Sequence, residues 1–200
     1  MKQVLTSFEH LQILTERLLL RPLRPSDAAD LFAVRSDPRA MRYWSSSAWT
    51  EISVAEKRIA DAEEDMRGTE NLCFGLERLS DHRMIGTAEL FGIDAPCRRS
   101  EIGYSLLVEA WGKGYMGEAL QALVNLGFQE LNLNRIEADI DPRNAPSRRC
   151  LERLGFKQEG YLRERWIVND EVCDSALYGL ILSDWDVRSA VNKSTLNEKP

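Results

Sequence analysis

Glu109-Ala110-Trp111-Gly112-Lys113-Gly114-Tyr115-Met116-Gly117-Glu118-Ala119 places three glycines at the seam between an apolar, strand-like run and an amphipathic helix. Small residues let a ligand approach the main chain closely. A helix starting in such a loop leaves its first N–H groups unpaired and points the positive end of its dipole at the same spot, which favours a phosphate. Read literally, Gly112-Lys113-Gly114-Tyr115-Met116-Gly117 is also G-x-G-x-x-G, the dinucleotide fingerprint. Which phosphates the seam binds decides the fold and the function together.

Upstream of the seam, residues 72–79, 84–93 and 101–108 read as consecutive strands. They are separated by the turn signal Ser80-Asp81-His82-Arg83 and by a second break, 94–100, containing Pro96. This is the pattern of an antiparallel meander. Downstream, Met116, Leu120, Leu123, Val124, Gly127 and Leu131 form one helix face, and residues 135–141 alternate as a strand. Asn144 opens a short helix that runs to Leu154, with Gly155 as its C-cap. Strands over about 157–168 and 172–182 close the chain as a hairpin across Asn169-Asp170. Nearer the N-terminus, residues 17–23 form a strand stopped by Pro22. Ser26 is the expected N-cap of a helix through about Val34, and Ser53-x-x-Glu56 reads as a capping box. Val54, Ala55, Ile59, Ala62 and Met66 give that second helix its apolar face. The expected order is β-α-α-β-β-β-α-β-α-β-β in one domain over residues 1–200, with 1–14 an N-terminal arm and 186–200 a polar tail.

That order argues against a dinucleotide fold. Glu137 and Asp139 lie about 20 residues past the loop, where a ribose-binding acid belongs. A dinucleotide fold, however, carries its fingerprint on the first strand and then repeats strand–helix units. Here the fingerprint lies past the midpoint of the chain and follows meander strands. Glu109-Ala110-Trp111 also separates the apolar strand from the first glycine. No G-x-x-x-x-G-K-[ST] P-loop exists.

Composition removes other classes. A net charge of −6 and a pI near 5.1 argue against a broad basic surface for nucleic acid and suit a cationic or amine-bearing partner. No apolar run approaches the roughly 20 residues of a membrane helix. The N-terminus, with Glu9, His10, Glu16 and Arg17 among its apolar residues, lacks a secretory h-region, so the expected location is cytoplasmic. Cys73, Cys97, Cys150 and Cys173 show no C-x-x-C spacing and accompany only two histidines. The expectation is free thiols and no metal site.

Several further pieces stand in a characteristic order: Thr15-Glu16-Arg17-Leu18-Leu19-Leu20-Arg21-Pro22, Ile85-Gly86, Glu101-Ile102-Gly103-Tyr104, Trp111-Gly112-Lys113-Gly114-Tyr115-x-x-Glu118-Ala119, Asn144-x-x-Ser147, and Leu154-Gly155-Phe156 followed by Glu159-Gly160. Over about 170 residues this resembles the GNAT superfamily of acyl-CoA-dependent N-acetyltransferases, and within it the RimJ/RimL-type branch. The resemblance implies an α+β fold with a strongly twisted, mostly antiparallel sheet of about seven strands flanked by about four helices. It also implies acetyl-CoA as cosubstrate and a primary amine as acceptor, either a protein N-terminal α-amine or a small amine. A homodimer through the last strands is compatible with it. The alternative is a catalytically poor acyl-CoA-binding or scaffold protein that keeps the fold.

By the same resemblance, the coenzyme pyrophosphate falls on the backbone of Gly112, Lys113, Gly114, Met116 and Gly117. The family usually has a small residue in place of Met116. The pantetheine arm pairs with the main chain of Leu106, Leu107 and Val108, where an N–H would polarise the thioester carbonyl. Asn144 is either a helix cap or a coenzyme contact through its amide. Arg143, Arg148, Arg149 and Arg153 form a basic cluster, from which Arg149 is taken with Lys113 as a phosphate partner. Proton removal from the amine falls to a carboxylate, Glu101 or Glu89, with Glu101 on the pantetheine strand. The tyrosine general acid of many GNAT proteins is replaced by Leu151, and Ser147 stands where the Rim-type pattern has a serine near the thiol.

Overall fold

The computed structural model describes residues 7–68 and 71–185. Its elements are β1 (Ile13–Leu14), β2 (Leu18–Pro22), α1 (Ala28–Ser36), α2 (Pro38–Met41), α3 (Ile52–Arg67), β3 (Leu72–Arg78), β4 (Met84–Asp94), β5 (Arg99–Leu106), α4 (Tyr115–Gln129), β6 (Arg135–Ile140), α5 (Ala145–Leu154), β7 (Lys157–Val168) and β8 (Glu171–Ile181). Short 3-10 turns sit at Pro25–Asp27 and Val108–Ala110. The strands form one sheet in the order β1-β2-β3-β4-β5-β6-β8-β7. Every neighbouring pair is antiparallel except β5 and β6.

The expected α+β class and the meander are observed, with one more strand and one more helix than expected. The extra strand is β1, and Phe8 just before it is buried with its N–H on the Met66 carbonyl at 2.8 Å. From Phe8 onward, the segment read as an arm therefore packs on the core through Phe8, Leu11 and Ile13. The extra helix, α2, is a single turn that Asp37 caps by accepting from Arg39 N at 2.8 Å. The tail expected at 186–200 lies outside the described residues.

Alternation on β3 covers the sheet on both faces. Leu72, Phe74 and Leu76 enter the large cluster beneath α4, while Cys73 joins a smaller one with Leu31, Ala55, Ile59 and Ala62 from α1 and α3. Helix α4 supplies Ala119, Leu120, Leu123, Val124 and Phe128 to the large cluster.

Two expected caps do not form. Asp27, not Ser26, precedes α1, because its carboxylate is drawn to the Arg24 N–H at 2.7 Å and to the Arg21 guanidinium at 2.7 and 2.9 Å. Helix α3 begins at Ile52, one residue before Ser53, so Ser53 already lies inside the first turn. Its hydroxyl donates to Glu51 Oε2 at 3.3 Å, and no capping box exists. Val54 stays exposed while Ala55, Ile59, Ala62 and Met66 form the buried stripe.

Arg21 also donates to Glu77 Oε2 at 2.5 Å, so one buried guanidinium ties β2, β3 and the turn before α1. Removing one acid leaves a desolvated charge half-compensated. Asp27→Ala is expected to lower unfolding free energy by about 3–5 kcal/mol, the range for a broken buried pair. Urea denaturation should show the midpoint falling with little change in slope.

Candidate active site

β5 and β6 pair over three positions only: Arg99 with Arg135, Ser100 with Ile136 and Glu101 with Glu137. Beyond them the strands part. β6 follows β8 through six residue pairs and β5 follows β4, leaving the β5 edge from Ile102 to Leu106 without a strand on its outer side. A cavity of about 660 Å³ opens at the parting. Glu101 and Tyr104 of β5, Asp139 of β6, Ser147 of α5, and Trp166 and Asp174 of the closing hairpin contribute to its lining, and residues 41–46 wall one side.

Glu101 sits at the base of the fork, half-buried, and its carboxylate makes no hydrogen bond or ion pair with any described residue. Burial, then the nearby charges of Glu137 and Asp139, raise its pKa above the ordinary carboxylate value. Glu89 reaches the same cavity but is held by Arg58 Nη2 at 2.9 Å. Glu101 is thus the freer of the two carboxylates. Ser147 is buried in the first turn of α5, with its Oγ 2.7 Å from the Tyr104 hydroxyl. Burial pushes Tyr104 up from its usual pKa, so it stays a neutral phenol that can donate to Ser147. Leu151, where a tyrosine acid was sought, is fully buried.

The glycine seam adopts the shape its residues require. Gly112 and Gly114 have φ of +73° and +82°, backbone that a side chain strains. Gly114 is the N-cap of α4, and the first bond across the cap runs from Glu118 N to the Gly114 carbonyl at 3.2 Å. The N–H groups of Tyr115, Met116 and Gly117 are therefore left over at the dipole's positive end. A Cβ built at Gly117 would meet nothing within 4 Å, so no packing demands glycine there and the space in front of the backbone is open.

Residues 17–157 match the family described as acetyltransferase (GNAT) domain. The chain belongs to that family. Over 172 residues it is 36% identical to the uncharacterized N-acetyltransferase p20 of Bacillus licheniformis, covering 86% of this chain and 96% of that one. Over 187 residues it is 27% identical to the [ribosomal protein uS5]-alanine N-acetyltransferase of Escherichia coli, covering 87% and 92%. The solved structure of Mycobacterium smegmatis RimJ in complex with CoA-disulfide is similar at a TM-score of 0.74 and 26% identity, covering 84% of this chain and 83% of that one.

Within this GNAT domain the structure sorts the expected site residues. Glu101, Asn144 and Ser147 converge on the cavity, and the glycine seam follows the end of β5 through the Val108–Ala110 turn. The Asn144 side-chain carbonyl is spent as a cap, accepting from Ser147 N at 3.1 Å, which leaves only its amide NH₂ for a ligand. Leu106 is buried, and its carbonyl accepts from Trp111 Nε1 at 2.9 Å. The Leu107 N–H donates to the Ile85 carbonyl at 2.8 Å, so it cannot polarise a thioester. Val108 opens a 3-10 turn, whose first N–H has no partner within the turn. Met116 is half-buried against the core, so its bulk turns inward. Arg148 and Arg149 are exposed on α5, but Arg143 leaves the expected basic cluster, clamped by Asp141 and by Glu171, both at 2.5 Å. Metal-ligand clusters are absent among the described residues.

Sequence reasoning missed Tyr104 as a partner of Ser147, since nothing local links positions 43 apart. Asp139 was seen only as a ribose-binding acid, although its place near Glu101, two residues past the register partner Glu137, follows once β5 and β6 are neighbours.

Gly117→Asp tests the seam. An acid in the first turn suits the helix dipole, so thermal stability should hold or rise slightly. The same charge opposes a bound phosphate, and calorimetric affinity for coenzyme A should fall about tenfold or more, as for a repulsion of 1.4 kcal/mol.

Proposed function

We propose that this protein is an N-acetyltransferase that moves the acetyl group of acetyl-CoA directly to a primary amine, a protein N-terminal α-amine or a small amine, in one catalytic domain without a metal. The observation that carries the reading is the fork: an unpaired carboxylate, Glu101, shares one cavity with the Tyr104–Ser147 hydroxyl pair. Acetyl-CoA supplies the thioester. The N–H groups of residues 114–117 hold its phosphates, with Lys113 and Arg149 as cationic partners, and the open β5 edge pairs with its amide-bearing arm. Glu101 accepts the proton that the attacking amine gives up. Tyr104 donates to Ser147 Oγ, which turns the serine's own hydrogen toward the cavity, where it meets the departing thiolate. A thiol with an ordinary pKa near 8.5 leaves readily, so a weak hydroxyl acid suffices in place of a tyrosine at Leu151.

The reading includes a cytoplasmic location, which suits four free cysteines, and a homodimer through β7, the exposed edge strand. No helix among the described residues is long and apolar enough to cross a membrane. The apolar Leu151 supports a second reading, coenzyme binding without turnover. Thiol release from acetyl-CoA across a panel of peptides and amines separates the two, and release with none of them would sink the enzyme.

Glu101→Gln should lower kcat by about 10²–10⁴, the worth of a positioned general base. Its raised pKa places the acid limb of the kcat/KM profile above the ordinary carboxylate range. Asp139→Asn removes one of the charges that raise it, so that limb should move to lower pH. Stability has the matching sign. A carboxyl whose folded pKa is raised loses its stabilising contribution as pH rises through that pKa. Glu101→Gln should therefore raise Tm at pH 7, and the gain should vanish below the unfolded pKa of about 4.3. Ser147→Ala and Tyr104→Phe should both lower kcat while leaving coenzyme affinity within about twofold, and their effects should not add, as for residues in contact.

A further inference from the structure

The glycine seam is anchored from a distant part of the chain. Arg17, just before β2, donates through Nη1 to the Lys113 carbonyl at 2.8 Å. Its Nε and backbone N–H both bind the Glu118 carboxylate at 2.7 Å, and the Thr15 hydroxyl donates to the same carboxylate at 2.6 Å. The guanidinium also lies 4.7 Å from the centre of the Tyr115 ring. These contacts span about 100 residues of sequence and converge on the segment whose N–H groups face the phosphates.

We infer that Arg17, working with Thr15 and Glu118, is a positioning residue for the coenzyme phosphates, resting on the reading of the seam as their site. Two physical effects support this. In a trans peptide the carbonyl and the following N–H point in opposite directions. Arg17 holds the Lys113 carbonyl toward itself, so the Gly114 N–H is turned the other way, toward the mouth of the loop. The second effect is electrostatic. Glu118 stands in the first turn of α4, where an unpaired carboxylate would repel a phosphate arriving at the same helix end. Burial opposes its ionisation, yet the hydrogen bonds from Thr15 and Arg17 keep its pKa below the ordinary value. Its charge is thus drawn onto Arg17 and away from the helix N–H groups.

The test compares coenzyme A with pantetheine, which lacks the nucleotide phosphates, by calorimetry on the full chain. In Arg17→Ala, coenzyme A affinity should fall about 30-fold, within the range for losing a charge-assisted hydrogen bond. Pantetheine affinity and kcat at saturating acetyl-CoA should stay within about twofold, the span of an uninvolved group. Arg17→Lys keeps a charge against Glu118 but lacks the planar fork, so its loss should be intermediate. Adding Glu118→Gln to Arg17→Ala removes the bared carboxylate and should recover part of the affinity. An equal loss for both ligands would overturn the inference as mere loop damage, and so would unchanged coenzyme A affinity. If the wild-type chain itself bound coenzyme A no better than pantetheine, the phosphate reading of the seam would fail first.

Discussion

The three-residue parallel contact between β5 and β6 is the constraint from which the rest follows. Each strand has a stronger commitment elsewhere, β5 to the antiparallel β4 and β6 to the antiparallel β8. Neighbouring strands in a sheet rotate by roughly 20–25° against each other. Beyond Glu101 and Glu137 the two strands separate, β5 continuing along β4 and β6 along β8. The separation exposes backbone that would otherwise be paired, which is costly unless a ligand or water uses it. An extended, amide-bearing coenzyme arm matches such an edge. The same gap admits the first turn of α5, and so brings Ser147 within reach of Tyr104.

The base of the fork is where carboxylates crowd. Glu101 and Glu137 are register partners, and Asp139 follows on the same strand. Arg99 and Arg135 take Glu137 at 3.2 and 2.7 Å, leaving Glu101 without a direct ion pair among the described residues. The proposed proton acceptor is thus the acid of this cluster that lacks a direct ion pair among the described residues. The cost in folding free energy falls on the same residue that gains a useful pKa, the usual trade at a functional site.

Much of this was legible in the sequence wherever the signal is local. Asn169 and Asp170 both adopt positive φ, +48° and +63°, as a tight hairpin requires, and Gly155 at +98° ends α5 where expected. The glycines of the seam, the Asn144 cap and the meander are of the same kind. Misreadings occurred where a distant charge outbid a local cap. Ser26 lost the start of α1 to Asp27 because Arg21, on another strand, holds that carboxylate, and Arg143 left the basic cluster because Glu171, on β8, captured it. No spacing rule contains those partners. Tyr104 and Ser147 meet only because the fork opens, so their contact becomes visible only with the sheet order in hand.

The two halves of the site are built from different materials. On one side the chain presents main chain: a strand edge, a helix N-terminus and glycines in left-handed conformations, which the proposed reading gives to the coenzyme. Such recognition depends on backbone shape and tolerates changes in side chains, provided the shape is kept. On the far wall of the cavity it presents side chains on two surface segments that meet across it. Ser47 donates to the Asn169 side-chain carbonyl at 2.5 Å, and Arg42 binds Glu171 at 3.0 and 3.1 Å. Those contacts join the segment after α2 to the β7–β8 turn at the cavity wall, and Glu171 also holds Arg143 just before α5. On the proposed reading, the acceptor side is thus lined by residues from 42–48 and 166–174, apart from the glycine seam.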